Sequence, residues 1–141
     1  MKIILSHTIK DELSRHAIEV YPNECCGFLI GRNRNDRRVT NLHRVRNARE
    51  DDLHKRFLID PSDYQKAEKF AEERDLDLLG VYHSHPDHPA EPSEHDRRSA
   101  LPWFSYIIVS VQNGSVDDLR SWRLDENRSF IAESIETVTQ Q

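Results

Sequence analysis

Cysteine is scarce in this sequence: the 141 residues contain two, Cys25 and Cys26, and these two are adjacent. Neighbouring cysteines cannot close a long loop, so a disulfide framework is excluded. Long apolar runs are also lacking, and no stretch approaches the roughly 20 apolar residues that a membrane-spanning helix needs. The first residues become polar too early for a signal peptide. We therefore expect a cytoplasmic protein that has no membrane partner.

An excess of positive charge is missing as well. Twenty Lys and Arg stand against 25 Asp and Glu, and the formal net charge is −5, which argues against a general nucleic-acid binder. The charges are mixed in sign, so disorder is not expected. The length suits a single domain over residues 1–141 and is too short for a TIM barrel or a complete dinucleotide-binding fold.

Hydrophobic periodicity and turn signals predict about three helices and six strands. Helices are predicted at residues 8–20, 60–74 and 93–100, the second with Asp60 as its N-cap and Pro61 in its first turn. Strands are predicted at residues 25–31, 37–46, 55–59, 78–83, 104–111 and 119–124. This mixture indicates an α/β or α+β fold with a central mixed sheet.

The chemistry of the chain is concentrated in residues 83–96, which contain half of its eight histidines. His83 and His85 lie two apart at the end of a predicted strand, so both imidazoles face the same way. Two neutral imidazoles and one carboxylate form a Zn²⁺ ligand set of the catalytic kind, with a fourth position for water. Asp96 can supply the carboxylate if the intervening loop turns back. Prolines recur in that loop at every third residue, the repeat of polyproline II.

Each of these features also has a purely structural interpretation. An isolated pair of alternating histidines is a weak signal, and Ser93 with Asp96 three residues later is typical of a helix N-cap. His88 and His95 are expected to be loop and helix-surface residues. The joint spacing favours a metal site. A cupin would need a Glu soon after the second histidine and then a Gly, and an amidohydrolase would need a barrel larger than this chain.

The full pattern resembles the JAMM/MPN+ metalloproteases of the small, stand-alone prokaryotic type. Their signature is an early Glu, then His-x-His, seven residues, Ser, two residues and Asp, and it is matched without a gap by Glu24, His83, His85, Ser93 and Asp96. The resemblance covers nearly the whole chain. It implies a cytidine-deaminase-like MPN fold, one Zn²⁺ on His83, His85 and Asp96 with water as fourth ligand, Glu24 as general base and Ser93 as oxyanion donor.

The resemblance also implies a class of substrate. Small family members act on ubiquitin-like β-grasp proteins, including ThiS/MoaD-type sulfur carriers, and hydrolyse an amide or isopeptide bond after a C-terminal Gly-Gly. The segment between the second predicted helix and His83 is too short for the insertions that grip ubiquitin, which favours sulfur-carrier processing. Two alternatives stay open: a non-catalytic MPN scaffold in a complex, and a hydrolase of another amide, including a DNA-repair-associated relative. The sequence does not indicate an oligomeric state.

Two further features have two interpretations each. Residues 32–56 are locally basic, either as a solvated hairpin or as a docking surface for an acidic protein, which charge reversal of Arg37 and Arg38 would distinguish. Strand alternation puts Cys26 on the face of Glu24 and Cys25 on the opposite face, where both are expected to pack in the core; alternatively, Cys26 lines the site. The aromatic residues are expected to be mostly buried, with Trp103 the most exposed and Tyr82 facing away from the metal.

Overall fold

A computed structural model of the chain describes residues 1–139 and places seven strands and three helices in them. The helices are α1 (His7–Val20), α2 (Pro61–Glu73) and α3 (Glu94–Ser99). The strands are β1 (Lys2–Ser6), β2 (Cys26–Asn33), β3 (Arg37–Val45), β4 (Asp77–Pro86), β5 (Ser105–Gln112), β6 (Ser115–Leu124) and β7 (Phe130–Val138). None of the helices in this part of the chain is both long and apolar enough to cross a membrane.

The strands form one mixed sheet in the order β1-β3-β2-β4-β5-β6-β7, and parallel pairing of β7 with β1 closes it into a barrel. β1 with β3 and β4 with β5 are the other parallel pairs, and the remaining pairs are antiparallel. The predicted α/β class is confirmed, but closure of the sheet was not expected. Parallel pairing in a closed sheet needs partners that are distant in sequence, which local patterns do not reveal.

All three predicted helices are present within one or two residues. The Ser6 side chain caps α1 by accepting the Ile9 N–H, Asp60 caps α2 in the same way, and Ser93 caps α3. The burial of α1 departs from simple hydrophobicity, because Ile18 is 45% exposed whereas His16 is buried.

The strand prediction needs two corrections. Residues 55–59 were predicted as a strand, but they form an irregular loop between β3 and α2. In addition, neither β1 nor β7 was predicted. Residues 57–59 are the apolar run Phe-Leu-Ile, and such a short run does not show by itself whether a neighbouring strand is available to pair with it.

Two hydrophobic cores lie on opposite faces of the sheet. One packs under α1 and includes Cys25 and Tyr82, and the other packs under α2 and includes Cys26 and Val81. The predicted orientations of Cys25, Cys26 and Tyr82 are therefore confirmed. Both thiols are free and buried, and Trp103 is 66% exposed, as predicted.

The basic segment 32–56 divides into separate parts. Arg37 is buried, and its guanidinium donates to the Leu79 and Trp103 carbonyls and to the Ser105 hydroxyl. Arg37 therefore has a structural role, and the prediction that it lies on a solvated or docking surface was wrong. The turn between β2 and β3 lies at the opposite end of β2 from Glu24, about 30 Å away along the chain at about 3.3 Å per residue. Docking through the other cations stays a prediction.

We expect His16 to make the fold sensitive to acid. Its Nδ1 lies 2.7 Å from the Tyr82 hydroxyl, and burial, with nearby Arg44, lowers the pKa of His16 to about 4. Because an unfolded histidine titrates near about 6.5, its contribution to stability is complete above that pH and is lost as the pH falls toward about 4. We expect about 1–2 kcal/mol, reduced by partial solvent screening.

Urea unfolding of the wild type and of His16→Gln, at about pH 7.5 and about pH 4.5, checks this expectation. The stability of the wild type relative to the variant should decrease on acidification. A difference that stays constant with pH would contradict it.

Candidate metal centre and active site

Antiparallel pairing of β2 with β4 brings Glu24, just before β2, next to His83 and His85 near the end of β4. Cys26 lies opposite His83 in this pair, so Glu24, two residues before Cys26, lies at the level of His85. The contact continues beyond the strand end, where the Cys25 N–H donates to the Ser84 hydroxyl at 2.8 Å. Residues nearly 60 positions apart in the chain therefore share one edge of the sheet on the α2 face.

Three side-chain atoms converge there. The Nε2 atoms of His83 and His85 are 3.2 Å apart, and Asp96 Oδ2 lies 3.2 Å from the first and 3.1 Å from the second. Ligand atoms about 2.0 Å from a tetrahedral Zn²⁺ are about 3.3 Å from one another. The three atoms are thus spaced like three corners of a tetrahedral site, and the donor set fits a zinc ion.

The surroundings of the imidazoles also suit a cation. His85 Nδ1 lies 2.8 Å from the Pro89 carbonyl; since a carbonyl only accepts, this nitrogen carries the hydrogen and Nε2 of the neutral ring presents its lone pair. Two lone pairs, on His85 Nε2 and Asp96 Oδ2, then face each other, and a cation or a proton must lie between them. His83 is held instead by Phe57, whose ring stacks on the imidazole at 4.5 Å between centroids.

Ser93 and Asp96 form a full capping box at the start of α3. The Asp96 N–H donates to Ser93 Oγ at 3.0 Å, and the Ser93 N–H donates to Asp96 Oδ2 at 2.9 Å. The structural interpretation of this pair is confirmed. It is compatible with a site, because the cap fixes Asp96 Oδ2 against both histidines.

The charges and burial of His83, His85 and Asp96 favour an ionised Asp96 beside a cation. Burial opposes ionisation, but the adjacent His83 and His85 hold the pKa of Asp96 far below its usual range. Burial lowers the pKa of His83. For His85, burial acts in the same direction, but Asp96 and the Pro89 carbonyl together raise its pKa.

Glu24 is the buried carboxylate of the site. It is 3% exposed, and within residues 1–139 its Oε1 has no hydrogen-bond partner. One ligand atom each from Glu24, His83 and His85 lie within 4.8 Å of one another. Burial raises the pKa of Glu24 to about 8. A buried carboxylate beside potential metal ligands is suited to hold and release a proton.

The other predicted residues lie around this cluster. Ser93, His88 and Lys55 line an open cleft that also includes Glu24 and His85. His88 is exposed and His95 half-buried, as expected for loop and helix-surface residues. Cys26 contacts the Val45 carbonyl through Sγ at 3.7 Å and packs in the core; it is absent from the residues that line the described clefts.

The proline loop does not follow a continuous polyproline II path. Asp87 has a positive φ of 58°, which turns the chain directly after β4. Its carboxylate accepts hydrogen bonds from the Tyr21 hydroxyl at 2.7 Å and from the Asn113 N–H at 3.0 Å. The return of the chain toward the histidines therefore depends on this turn, which the proline spacing did not predict.

Two residues of the site were missed by the sequence analysis. Phe57, assigned to a strand, stacks on His83 and lines an apolar pocket that includes Asp96 and Tyr106. Asn47, directly after a predicted strand, hydrogen-bonds to the backbone of Glu24. Neither residue is a ligand or a base, so no motif singled it out.

Comparison with known families gives one match over most of the chain. The model of a family described as prokaryotic homologs of the JAB domain matches residues 6–125. The match includes Glu24, His83, His85, Ser93 and Asp96.

Several curated proteins are similar in sequence. A desampylase of Pyrococcus furiosus is 30% identical over 76% of this chain and 71% of its own length. A probable TtuB-protein conjugate cleaving protease of Thermus thermophilus is 32% identical over 84% and 73%, respectively. A CysO-cysteine peptidase of Mycobacterium tuberculosis is 26% identical over 86% and 82%.

Solved structures share the fold. The solution structure of a Desulfitobacterium hafniense protein superimposes with a TM-score of 0.86 at 30% identity, covering 98% of this chain and 94% of the other. A JAB1/MPN domain protein of Archaeoglobus fulgidus superimposes with a TM-score of 0.62 at 19% identity, covering 98% and 99%. The predicted MPN architecture is therefore confirmed at the level of fold.

Proposed function

Because the chain belongs to the family of prokaryotic JAB-domain homologues, we propose that it is a zinc-dependent hydrolase of amide or isopeptide bonds that acts as one domain over residues 1–141. One observation carries the proposal: His83 Nε2, His85 Nε2 and Asp96 Oδ2 lie within 3.2 Å of one another beside the buried carboxylate of Glu24. The names of the similar proteins, a desampylase and two peptidases or proteases, support a hydrolase.

His83, His85 and Asp96 would hold the ion, leaving a fourth position open. A Zn²⁺ ion bound there supplies a Lewis acid that makes water more acidic and polarises a carbonyl. Glu24 accepts the proton of the attacking water and passes it to the leaving nitrogen as the C–N bond breaks. Its burial excludes bulk water from this transfer.

Ser93 would stabilise the oxyanion. Its Oγ already accepts the Asp96 N–H, and its hydroxyl hydrogen can be donated toward the cleft that Ser93 lines. Loss of one such donor costs about 3 kcal/mol in enzymes where it has been measured.

For the substrate, we propose a ubiquitin-like or sulfur-carrier protein whose C-terminal Gly-Gly precedes the scissile bond. Two similar proteins are named for cleavage of a TtuB-protein conjugate and for a CysO-cysteine peptidase activity, which supports a substrate joined to a carrier protein. A tail without side chains can bring its carbonyl to a buried site such as this one, where His83 and Glu24 are at most 3% exposed.

The test is hydrolysis of a β-grasp sulfur carrier extended past its Gly-Gly, followed by intact mass. Wild type and a chelator-treated sample are compared, and the zinc content of each is measured. Release of the extension by the zinc-loaded protein alone supports the proposal. Zinc binding without cleavage would support the metal-site assignment but overturn the proposed substrate. Absence of zinc binding would favour a non-catalytic scaffold.

We also expect Zn²⁺ to stabilise the folded protein. An ion that binds only the folded state adds about 2.7 kcal/mol at 100 times its dissociation constant, which raises Tm by roughly 5–10 °C for a chain of this size. Thermal unfolding with and without Zn²⁺ measures the shift. His85→Ala should abolish it and His88→Ala, at an exposed position of the same cleft, should retain it. Equal shifts in both variants would contradict the ligand assignment.

A further inference from the structure

Asn47 uses both ends of its side-chain amide. Its Oδ1 accepts from the backbone N–H groups of Arg49 at 3.1 Å and Leu58 at 3.0 Å. Its Nδ2 donates to the carbonyls of Arg56 at 3.0 Å and Glu24 at 3.3 Å. N–H partners on one side and carbonyls on the other fix the orientation of the amide. Asn47 thereby joins the two ends of loop 46–59 to each other and to Glu24.

The same loop holds the other backbone group of Glu24. The Glu24 N–H donates to the Leu53 carbonyl at 2.6 Å, so both main-chain polar groups of this residue are bonded to loop 46–59. A second main-chain bond, from the Ala48 N–H to the Leu58 carbonyl at 2.8 Å, joins the two ends of the loop. The loop also carries Phe57, which stacks on His83. It therefore contacts the candidate base and one candidate ligand at once.

Glu24 depends on these contacts because it lies outside regular structure. β2 begins at Cys26, and contact with β4 ends at Cys25, whose N–H and carbonyl bond to Ser84, so the sheet does not bond to the backbone of Glu24 itself. Its side-chain Oε1 has no hydrogen-bond partner within the described residues 1–139. The position of the carboxylate is set by its backbone, and loop 46–59 supplies the backbone contacts of Glu24 on both sides.

We propose that Asn47 is a positioning residue that keeps loop 46–59 in place and, through the backbone of Glu24, orients the Glu24 carboxylate. This inference rests on the proposed function of Glu24 as base. Asn47 touches no reacting atom and acts through Glu24. A displacement of about 1 Å in a group that takes part in the reaction can cost about 10²-fold in rate.

Asn47→Asp is the informative variant. It keeps the two acceptor bonds to Arg49 and Leu58 and removes the two donor bonds to Arg56 and Glu24. We expect kcat on the extended carrier to fall by about 10–100-fold with KM changed by less than about threefold, and zinc content to stay at the wild-type value. Asn127→Asp, at an exposed position of the β6–β7 turn, is the matched control and should leave both constants unchanged.

The double variant Glu24→Gln/Asn47→Asp separates positioning from general support of the fold. If Asn47 acts through Glu24, the double variant should be no more than about threefold slower than Glu24→Gln alone, since the base is already absent. Full multiplication of the two single effects would overturn the proposal. So would a KM effect without a kcat effect.

Amide hydrogen exchange tests the inference independently of activity. The Glu24 N–H is protected by its bond to Leu53, and in Asn47→Asp we expect its exchange to accelerate by about tenfold or more, with no change in Asn127→Asp. Unchanged protection would overturn the proposal whatever the activity. If the wild type does not cleave the carrier while exchange accelerates as expected, the substrate proposal fails and the loop's hold on Glu24 stands.

Discussion

Replacement of Glu24 by glutamine is expected to slow hydrolysis by about 10²–10⁴-fold, the usual contribution of a general base, with metal content unchanged. Glutamine has nearly the same size but cannot accept the proton of water. Burial raises the pKa of Glu24 to about 8, and a cation held by the neighbouring histidines favours its ionised form. The residue is thus suited to cycle between carboxylate and carboxylic acid during turnover.

Single-turnover cleavage followed by intact mass, with zinc content measured on each sample, checks this expectation. Glu91→Gln is the matched control, because Glu91 is an exposed carboxylate of the same cleft; its rate should stay within about twofold of wild type. Loss of zinc in Glu24→Gln would make Glu24 a ligand, an assignment that its distance of at most 4.8 Å from the histidine nitrogens also allows. An unchanged rate would show that Glu24 takes no part in the reaction.

The convergence of the candidate site could be predicted because its geometry follows from strand alternation. His83 and His85 share a face of β4 for the same reason that Tyr82 faces the other core. The spacing of Asp96 after Ser93 predicted its place in a helix cap, but its return to the histidines depends on the turn at Asp87, which the sequence did not predict. Glu24 lies nearly 60 residues away, and only its place in the family motif connected it to the histidines.

The residues that contact His83 and the backbone of Glu24 could not be predicted from local patterns. Phe57 and Asn47 take their roles from contacts with distant segments, His83 in one case and Glu24 in the other. The run at residues 57–59 is apolar enough for a strand, but the main chain there bonds to Asn47 and Ala48 rather than to a strand of the sheet. A short apolar run predicts burial more reliably than it predicts strand pairing.

β7 was missed because a charge interrupts its inward face. Glu133 is 4% exposed and points inward, and Ile131, two residues earlier on the same face, is 48% exposed at the start of the strand. A strand whose most buried side chain is charged does not resemble a half-buried strand in sequence. The inward charge is tolerated only because the barrel provides partners for it from other strands.

Those partners form a buried polar network. Glu133 accepts hydrogen bonds from the hydroxyls of Ser105 and Ser121, each at 2.8 Å, and is paired with Arg123. Ser105 in turn accepts from Arg37 at 2.8 Å. The network joins β3, β5, β6 and β7 through side chains in addition to the main-chain ladder. Charges removed from water in this way depend on one another.

Glu133→Ala is therefore expected to lower the free energy of unfolding by about 3–5 kcal/mol, because it leaves Arg123 without its carboxylate and two serine hydroxyls without their acceptor. Glu136→Ala, on the same strand, removes an exposed carboxylate whose 3.0 Å ion pair with Lys2 is open to solvent, and should cost less than about 1 kcal/mol. Urea unfolding measures both. Equal, small losses would mean that Arg123 turns to solvent when Glu133 is absent, and that closure of the barrel at β7 rests on main-chain pairing with β1 and β6 alone.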